Sequence, residues 1–316
     1  MVYTIIICTF ASESCRRQQV KTGNEIMKKS LNEMVADVMN MNVSNNVKRN
    51  ELIKLGLDAT EVYLLLNTKA WQGSGFDFRM LTFGVEIECY NVVRNDLIIN
   101  GTRKGLTVRS EGYNHDDNQH YFKIVSDGSL EGVNSNEVVS PILQGNNGLD
   151  SLKRLCEALN EIDAKVNRSC GLHVHIGAAN MTDAHYIRII RNYQRLEGLI
   201  DSFMPLSRRA NNNGFCRSLQ GFDFSRCTSK RDVYDLMNSR YYKINGHAYF
   251  RHQTIEFRQH SGTTDYEKIS NWIAFLAALV KWSEKNEIST CNSIDEIPFL
   301  NAEQKAYYNN RRASLN

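Results

Sequence analysis

Three segments in the middle of the chain alternate apolar with polar residues, the pattern of β-strands that bury one face. They cover residues 82–90, 170–177 and 254–260, and a shorter segment over 136–139 adds Glu137. Alternate side chains of a strand share a face. The polar faces of the three longer strands therefore carry Glu86 and Glu88, then His173 and His175, then Glu256, Arg258 and His260. If these strands share a sheet, one surface holds all of these groups.

Helical spacing of apolar residues is found between and after the strands. Residues 148–166 carry one apolar stripe, and a second helix is predicted from an N-cap at Thr182 to a stop at Pro205. A third helix is predicted over 266–286, after an N-cap at Asp265. Strands and helices are mixed irregularly and do not form regular βαβ units. This pattern favours an α+β fold over a doubly wound parallel sheet.

The first 78 residues differ from the rest because their predicted elements are short and polar. A helix is expected over 24–38, a break over 42–46, and further helices over 50–57 and 58–67. A small helix-turn-helix is one interpretation of this arrangement. No basic face accompanies these helices, which favours a helical adaptor or support.

Domain boundaries follow from this change of character. Residues 1–78 are predicted to form a mostly helical region that ends near the linker-like segment 73–75, residues 79–290 a catalytic domain, and residues 291–316 a C-terminal tail. The apolar run over 2–11 is shorter than the ~20 residues of a membrane span. It also lacks the basic start and cleavage site of a signal peptide, so a buried strand is expected there.

Composition excludes several classes of protein. The chain has 316 residues, 42% of them hydrophobic, and a net charge of +3, which gives no case for nucleic-acid or membrane binding. Its eight cysteines form no C-x-x-C motif and no regular spacing, which argues against a zinc ribbon or a disulfide framework. Reduced thiols are typical of a cytoplasmic protein. Many asparagines and only three prolines also fit a phage-encoded protein in a host cytoplasm.

The carboxylates on the predicted polar surface repel one another. Glu86 and Glu88 lie two strand rises apart, ~6.7 Å. At an effective dielectric constant of 20, their repulsion is about 2.5 kcal/mol. Glu137 and Glu256 on the same face would add to it, so the cluster must be solvated, protonated or loaded with cations. Carboxylates with imidazole and without thiolate suit Mg²⁺ or Mn²⁺.

Basic residues follow in the second half of the chain. Residues 208–231 hold six basic groups and one acid, and Arg240, Arg251 and Arg258 come after them. A solvated basic loop is one interpretation of this segment. Arg258 differs because its strand position fixes it beside Glu256, where a guanidinium matches a transferring phosphoryl group. The chain has no P-loop and no dinucleotide-binding glycine motif. Any nucleotide would therefore be held by metals and by arginines, among them Arg240, Arg251 and Arg258.

The order of these motifs resembles the putative amidoligase family. The matching segments are G-V-E-I-E, S-D-G-S-L with N-E-V-V-S-P, C-G-L-H-V-H-I-G, and R-Y-Y-K-I-N followed by T-I-E-F-R-Q-H-S-G-T. The resemblance covers roughly residues 79–285. That family is similar to the catalytic domains of glutamine synthetase and glutamate–cysteine ligase. The resemblance implies a curved, mainly antiparallel sheet with the polar motifs on its concave face and helices on its convex face.

The resemblance also implies an activity, which is ATP-dependent ligation of a carboxylate to an amine through an acyl phosphate. It assigns Glu88 and Glu137 to one Mg²⁺, and Glu86, His173 and Glu256 to a second. It makes Arg258 the residue that stabilises the phosphoryl group and Arg240 a phosphate contact, both catalytic together with Glu137. His175 and His260 are expected to touch the carboxylate substrate or the phosphates. One carboxylate of glutamine synthetase has no clear counterpart, and Asp127 or Glu131 could fill its place.

The expected partners are ATP, a carboxylate substrate and an amine, each a small molecule, a peptide or a protein, with a homo-oligomer possible. Two other functions are consistent with parts of the sequence. A metal-dependent hydrolase could use His173, His175 and a glutamate to activate water. A non-catalytic inhibitor could act through residues 1–78 or the basic segment 208–231. The hydrolase leaves the arginines unexplained, and the intact motifs argue against the inhibitor.

Overall fold

The computed structural model describes residues 45–56, 81–112 and 120–315, with four isolated positions (34, 37, 38 and 41) before them. The chain divides into two compact units, Met1–Lys69 and Ala70–Asn316. The strand predicted over 2–11, the helix over 58–67 and the linker 73–75 lie outside the described residues, as does most of the helix over 24–38.

The first unit contributes helix α1, Asn45–Lys54. This helix begins inside the break that the sequence predicted over 42–46 and ends before Leu57, the predicted end. Asparagines are weak helix formers. Two of them, Asn45 and Asn46, belong to the predicted break, yet they form the start of the helix.

The second unit is built on an eight-stranded sheet. Its strands are β1 (Thr82–Cys89), β2 (Val108–Ser110), β3 (Phe122–Val125), β4 (Asn136–Val139), β5 (Leu143–Gln144), β6 (Gly171–Gly177), β7 (Ile244–Asn245) and β8 (Thr254–Ser261). The spatial order is β2-β3-β4-β1-β6-β8-β7, with β5 paired to β1. Only β2 and β3 run parallel. The prediction of an α+β fold with a mainly antiparallel sheet is confirmed.

Three long helices bury the apolar face of this sheet. They are α3 (Gly145–Glu161), α4 (Asp183–Ser202) and α7 (Tyr266–Trp282). The predicted N-caps are present, since the Thr182 hydroxyl accepts a hydrogen bond from His185 N and the Asp265 carboxylate accepts from Glu267 N and Lys268 N. Each such cap satisfies a helix N–H that would otherwise be unpaired, which is worth about 1 kcal/mol.

The core lies between the sheet and these helices. The apolar residues of β1 and β6, among them Val85, Ile87, Leu172 and Val174, are fully buried there. From the helix side, Trp272 of α7 is also fully buried in this core. Burial of each such side chain contributes about 1.5–3 kcal/mol. The opposite face of the same strands is thereby left to the polar residues.

Shorter helices complete the unit: α2 (Arg94–Arg103), α5 (Lys230–Leu236), α6 (Ala248–His252) and α8 (Ala302–Ser314). Residues 291–316 are predicted to be a tail, but the described residues of this segment pack against the rest of the unit. Phe299 and Tyr308 are buried, and the Tyr308 ring lies 4.5 Å from that of Phe203. A 3₁₀ turn at Ile294–Glu296 precedes α8, whose buried residues are Gln304 and Tyr308. One of these two is polar, so the segment has no apolar stripe that would have predicted this packing.

Within the described parts of the chain, no helix has the length and apolar character needed to cross a bilayer. Six of the eight cysteines lie there, and all six are free thiols. Cys89 and Cys156 are buried. Burial raises the pKa of Cys89 to about 12, with a further contribution from Cys170 and nearby carboxylates, so this thiol is an inert part of the core.

Candidate active site

Strand register brings the predicted polar residues onto one face of the sheet. Glu88 of β1 lies opposite Glu137 of β4, and Glu86 of β1 lies opposite His173 of β6. Directly paired residues of neighbouring strands point to the same side. In the next row, His175 of β6 lies opposite Glu256 of β8. Four strands that are distant in sequence thus supply adjacent side chains.

These side chains line one cavity of about 1220 Å³. Its wall includes all six residues just named, together with Arg258. The carboxylates are withdrawn from bulk water, since Glu88 is 7% exposed and Glu256 is 4% exposed. A cavity of this volume can hold a nucleotide and a second small substrate, because ligand pockets in proteins span roughly 300–1,000 Å³.

His173 lies at the centre of the cluster. Its Nδ1 is 2.8 Å from Glu86 Oε2 and 3.9 Å from Glu256 Oε1, and its Nε2 is 3.6 Å from Glu88 Oε1. One imidazole therefore faces three carboxylates from two strands. His175 lies beside it, with Nε2 3.3 Å from Glu86 Oε1 but not aligned for a hydrogen bond with any described residue.

Both carboxylate oxygens of Glu256 accept hydrogen bonds. Arg258 Nη1 donates to Oε1 at 2.5 Å, and Asn245 Nδ2 donates to Oε2 at 2.5 Å. The Asn245 amide is itself oriented, because its Oδ1 accepts a hydrogen bond from His247 N at 2.9 Å. Arg258 also donates from Nε to the Phe215 carbonyl at 3.4 Å. Within the described part of the chain, its Nη2 group makes no hydrogen bond.

At the other end of the cluster, Glu88 and Glu137 face each other. Glu88 Oε2 accepts a hydrogen bond from the Gly171 backbone N–H, whereas no N–H or hydroxyl group of the described residues donates to the Glu137 carboxyl. A side chain at Gly171 would not fit without movement. Its Cβ would lie 3.1 Å from His173 Nε2 and 3.3 Å from Glu88 Oε2. Glycine here leaves space beside both groups.

The pKa values reflect this crowding of charge. Burial alone would raise the pKa of Glu86, but the hydrogen bond with His173 and the close approach of His173 and His175 hold the pKa well below its usual value. Burial alone would likewise raise the pKa of Glu256, but the Arg258 charge reverses this, so the pKa is lowered. For Glu137 the effects act in the same direction. Its burial, the charge of Glu86 and a hydrogen bond shared with Glu86, and the charge of Glu88 raise the pKa of Glu137 well above its usual value.

Two groups of side chains in this cluster have the geometry of metal ligands. One is Glu86, His173 and Glu256, and the other is Glu88, Glu137 and His173; in each group the ligand atoms lie within 4.8 Å of one another. Carboxylate oxygens dominate both groups, which is the donor set of Mg²⁺ or Mn²⁺. The crowding of Glu137 by other carboxylates and the space left by Gly171 fit the presence of a cation.

Comparison with known families agrees with the motifs on this face. A family model described as "putative amidoligase enzyme" matches residues 79–280, which spans the sheet and all of the site. The chain belongs to this amidoligase family. No curated protein matches the chain. The family resemblance seen in the motif order is confirmed, and the family name indicates a ligase.

Two arginines that we assigned to the nucleotide lie on the wall of the amidoligase cavity. Arg240 and Arg251 both line it and are exposed. Arg240 Nη2 is 3.3 Å from the Tyr241 hydroxyl. Of the two candidates for a further carboxylate, Asp127 lines the cavity and accepts hydrogen bonds from Ser129, whereas Glu131 is exposed and lies outside the wall.

His260, which the family resemblance assigned to the substrate or the phosphates, does not line the cavity. The register between β6 and β8 shifts between Leu172 and Val174, which breaks the alternation along β8. His260 is therefore paired with the core residue Leu172, and its ring lies 5.6 Å from that of Trp272. Alternation along β8 correctly predicts that Glu256 and Arg258 face the cavity, and it is wrong for His260. We therefore do not assign His260 to the substrate.

Sequence reasoning missed two cations of the site. Arg208 was interpreted as a possible solvated loop residue, but it is 3% exposed, lines the cavity and donates to the Cys170 carbonyl. Lys123 of β3 is 3% exposed on the same wall, in the row that continues through Val139 to Glu86. A lysine inside the apolar run F-K-I-V was the available signal for Lys123, while Arg208 follows only from the packing of its loop.

Proposed function

We propose that this chain is an ATP-dependent carboxylate–amine ligase that forms an amide bond through an acyl phosphate. The observation that carries the proposal is the convergence of Glu86, Glu88, Glu137 and Glu256 around His173 on one cavity wall, with Arg258 among them. Membership of the amidoligase family supports a ligase. We also propose that the sheet has the curvature of the glutamine synthetase catalytic domain.

Glu86, His173 and Glu256 would hold one Mg²⁺, and Glu88 and Glu137 a second. Bound Mg²⁺ supplies charge neutralisation at the phosphate oxygens of ATP. This division of ligands is the one that the family resemblance implied. It also gives a role to the four glutamates of this wall, whose buried cations among the described residues are Arg258, Arg208 and Lys123.

The first step transfers the γ-phosphoryl group. A carboxylate oxygen of the acid attacks the γ-phosphorus, and the bond from that phosphorus to the β,γ-bridging oxygen breaks, which releases ADP. Arg258 is held by Glu256 and by the Phe215 carbonyl, so its Nη2 group is presented to the cavity. That group would donate to the phosphoryl oxygens as negative charge spreads over them.

The second step forms the amide. The amine attacks the acyl carbon, phosphate leaves, and the amine loses a proton. Glu137, to which no N–H or hydroxyl group in the described part of the chain donates, would accept that proton. Asp127 lies on the same wall and would orient the amine. Arg240 and Arg251 would contact the phosphates of the nucleotide from the rim.

A trapping assay tests the reaction whichever amine is the natural substrate, because hydroxylamine takes the place of the amine. The protein is incubated with Mg·ATP, hydroxylamine and single carboxylic acids, and both hydroxamate and ADP are measured. We expect ADP release that depends on the acid and equals the hydroxamate formed. Arg258→Ala should abolish it, whereas Arg226→Ala, whose side chain is 91% exposed, should not. Amide or ester hydrolysis that needs no ATP would instead favour the metal-dependent hydrolase.

A further inference from the structure

Three aromatic residues form a rim at one part of the cavity wall. Tyr234 and His247 stack with ring centroids 4.0 Å apart and an interplanar angle of 26°, and Phe250 meets Tyr234 edge-on at 5.3 Å. All three line the cavity. Arg231 lies 4.8 Å from the Tyr234 centroid, so Tyr234 has three neighbours, His247, Phe250 and Arg231. Arg231 also lies 5.7 Å from the Phe250 centroid, and Tyr249 meets Phe250 edge-on at 5.4 Å. Phe250 is nevertheless 48% exposed, the most exposed of the three rim residues.

This aromatic rim is tied to the carboxylate cluster by short contacts. Asn245 donates to Glu256 through Nδ2 and accepts from the His247 backbone through Oδ1. The His247 ring in turn stacks on Tyr234. Arg251 follows Phe250 directly in the chain and also lines the cavity. The same cavity wall therefore carries the carboxylates, Arg251 and the aromatic rim, of which Phe250 is exposed.

We propose that the aromatic rim binds the base of a nucleoside triphosphate, with Phe250 as its stacking surface. The proposal rests on the proposed function and adds the place of the base. Metal ligands, arginines and an aromatic surface share one cavity wall, and these groups match the metal, the phosphates and the base of a magnesium-bound triphosphate. Every base has a π-face, and stacking on an aromatic side chain contributes about 1–3 kcal/mol.

A second half-exposed phenylalanine makes the assignment testable. Phe215 is 50% exposed, lines the same cavity and meets Tyr241 at 5.4 Å. Its carbonyl accepts a hydrogen bond from Arg258, the residue that we assign to the transferring phosphoryl group. The base of a nucleotide lies a triphosphate and a ribose away from that group. Phe215 is therefore too close to the reacting centre to stack on the base.

Calorimetric titrations with two probes separate the base from the phosphates. Wild type, Phe250→Ala and Phe215→Ala are each titrated with Mg·ATP and with Mg·tripolyphosphate at one fixed Mg²⁺ concentration. In the wild type we expect ATP to bind more tightly than tripolyphosphate. Phe250→Ala should weaken ATP binding roughly tenfold and leave tripolyphosphate binding unchanged, because only the base loses its surface. Phe215→Ala should keep the wild-type ratio of the two affinities, and Phe250→Trp should retain tight ATP binding.

Equal affinities of wild type for ATP and tripolyphosphate would overturn the inference, and so would unchanged ATP binding in Phe250→Ala. A changed ratio of the ATP and tripolyphosphate affinities in Phe215→Ala alone would place the base at Phe215 and Tyr241, which would also overturn the inference. In these cases tripolyphosphate still binds, so the proposed function survives. If neither probe binds in the presence of Mg²⁺, the proposed function fails and the inference fails with it.

Discussion

Two clusters of buried charge lie in the same unit and differ in how their charges are satisfied. The site cluster consists of Glu86, Glu88, Glu137, Glu256, His173, His175 and Arg258 on the polar face of the sheet. The second, here called the Lys243 cluster, consists of Lys243, Glu197, Asp201 and Gln259. Its acidic members lie on α4, which packs against the apolar face. Burial does not distinguish the two, since Lys243 and Glu197 are 0% and 2% exposed.

In the Lys243 cluster every carboxylate oxygen has a donor. Lys243 Nζ donates to Glu197 Oε1 at 2.8 Å and to Asp201 Oδ1 at 2.6 Å. The remaining oxygens accept from the backbone N–H groups of Leu219 and Ala210. Gln259 joins Asp201 to the Tyr193 hydroxyl. This network fixes the loop after α4 against β8. It needs no further cation, because each of its carboxylate oxygens already has a donor.

In the site cluster, by contrast, one carboxylate lacks such a donor in the described part of the chain. No N–H or hydroxyl group of the described residues donates to Glu137, and the pKa of Glu137 is raised by burial and by its acidic neighbours. The cluster also lines a large cavity, whereas none of the four members of the Lys243 cluster does. Glutamates crowded beside a cavity, one of them without an N–H or hydroxyl donor among the described residues, mark the site as a place for cations and phosphates; burial as such does not.

The largest effect is expected from Lys243→Met. The substitution removes the cation of the Lys243 cluster and leaves Glu197 and Asp201 buried without it, which should cost about 3–5 kcal/mol of unfolding free energy. Urea denaturation measures this loss. Lys268→Met is the control, because Lys268 forms an exposed pair with Asp265 at 3.5 Å and should change stability by less than about 0.5 kcal/mol. A loss below about 1 kcal/mol for Lys243→Met would contradict a closed, structural network.

Matched glutamine substitutions should give opposite results in the two clusters. Glu86→Gln should lower acid-dependent ADP release at least about 100-fold while the protein stays folded, because a ligand of the proposed metal is lost. Glu197→Gln should lower the unfolding free energy and leave the rate within a few-fold of wild type. Circular dichroism and the hydroxylamine assay check both. Near-normal turnover by Glu86→Gln would show that Glu86 is not a required metal ligand and would contradict its assigned role.

The sequence predicted the site better than it predicted the surroundings of the site. Alternation along β1 placed Glu86 and Glu88 on one face, because a regular strand has a fixed period of two. It failed at His260, where a register shift between β6 and β8 depends on pairing that one strand does not encode alone. Arg208 was missed for a similar reason. Its burial is decided by the Cys170 carbonyl, 38 residues away in the chain.

Magnesium should stabilise the protein through the site cluster only. At a free Mg²⁺ concentration of one hundred times Kd, binding to the folded state alone adds about 2.7 kcal/mol. Thermal unfolding with Mg²⁺ and with a chelator measures the shift. Glu197→Gln should keep the shift and Glu137→Gln should lose most of it. Loss of the stability shift in Glu197→Gln but not in Glu137→Gln would place the metal in the Lys243 cluster and contradict this assignment.

The smallest effect concerns pH and His260. Burial lowers the pKa of His260 to about 3, with help from the positive charges of Arg311 on α8, Arg208 on the loop after α4 and Lys268 on α7. The unfolded chain binds the proton near pH 6.5. Between pH 6.5 and about 3 the unfolded state therefore holds more protons, and stability falls as pH decreases, by at most about 1.4 kcal/mol per unit.

His260→Asn should reduce this slope relative to wild type, as measured by urea denaturation between pH 7 and pH 5. The comparison is between the two slopes, because carboxylates elsewhere also contribute. Equal slopes would place a charged or solvated imidazole at this position, against the packing on Trp272.

The central claim is that the carboxylates of one sheet face bind divalent cations together with a triphosphate. A crystal grown with Mn²⁺ and a non-hydrolysable ATP analogue tests it through anomalous scattering. We predict one manganese peak bounded by Glu86, His173 and Glu256 and a second beside Glu88 and Glu137, each in contact with phosphate oxygens. A nucleotide-bound crystal whose manganese lies elsewhere, with those side chains bonded only to each other and to water, would contradict the account.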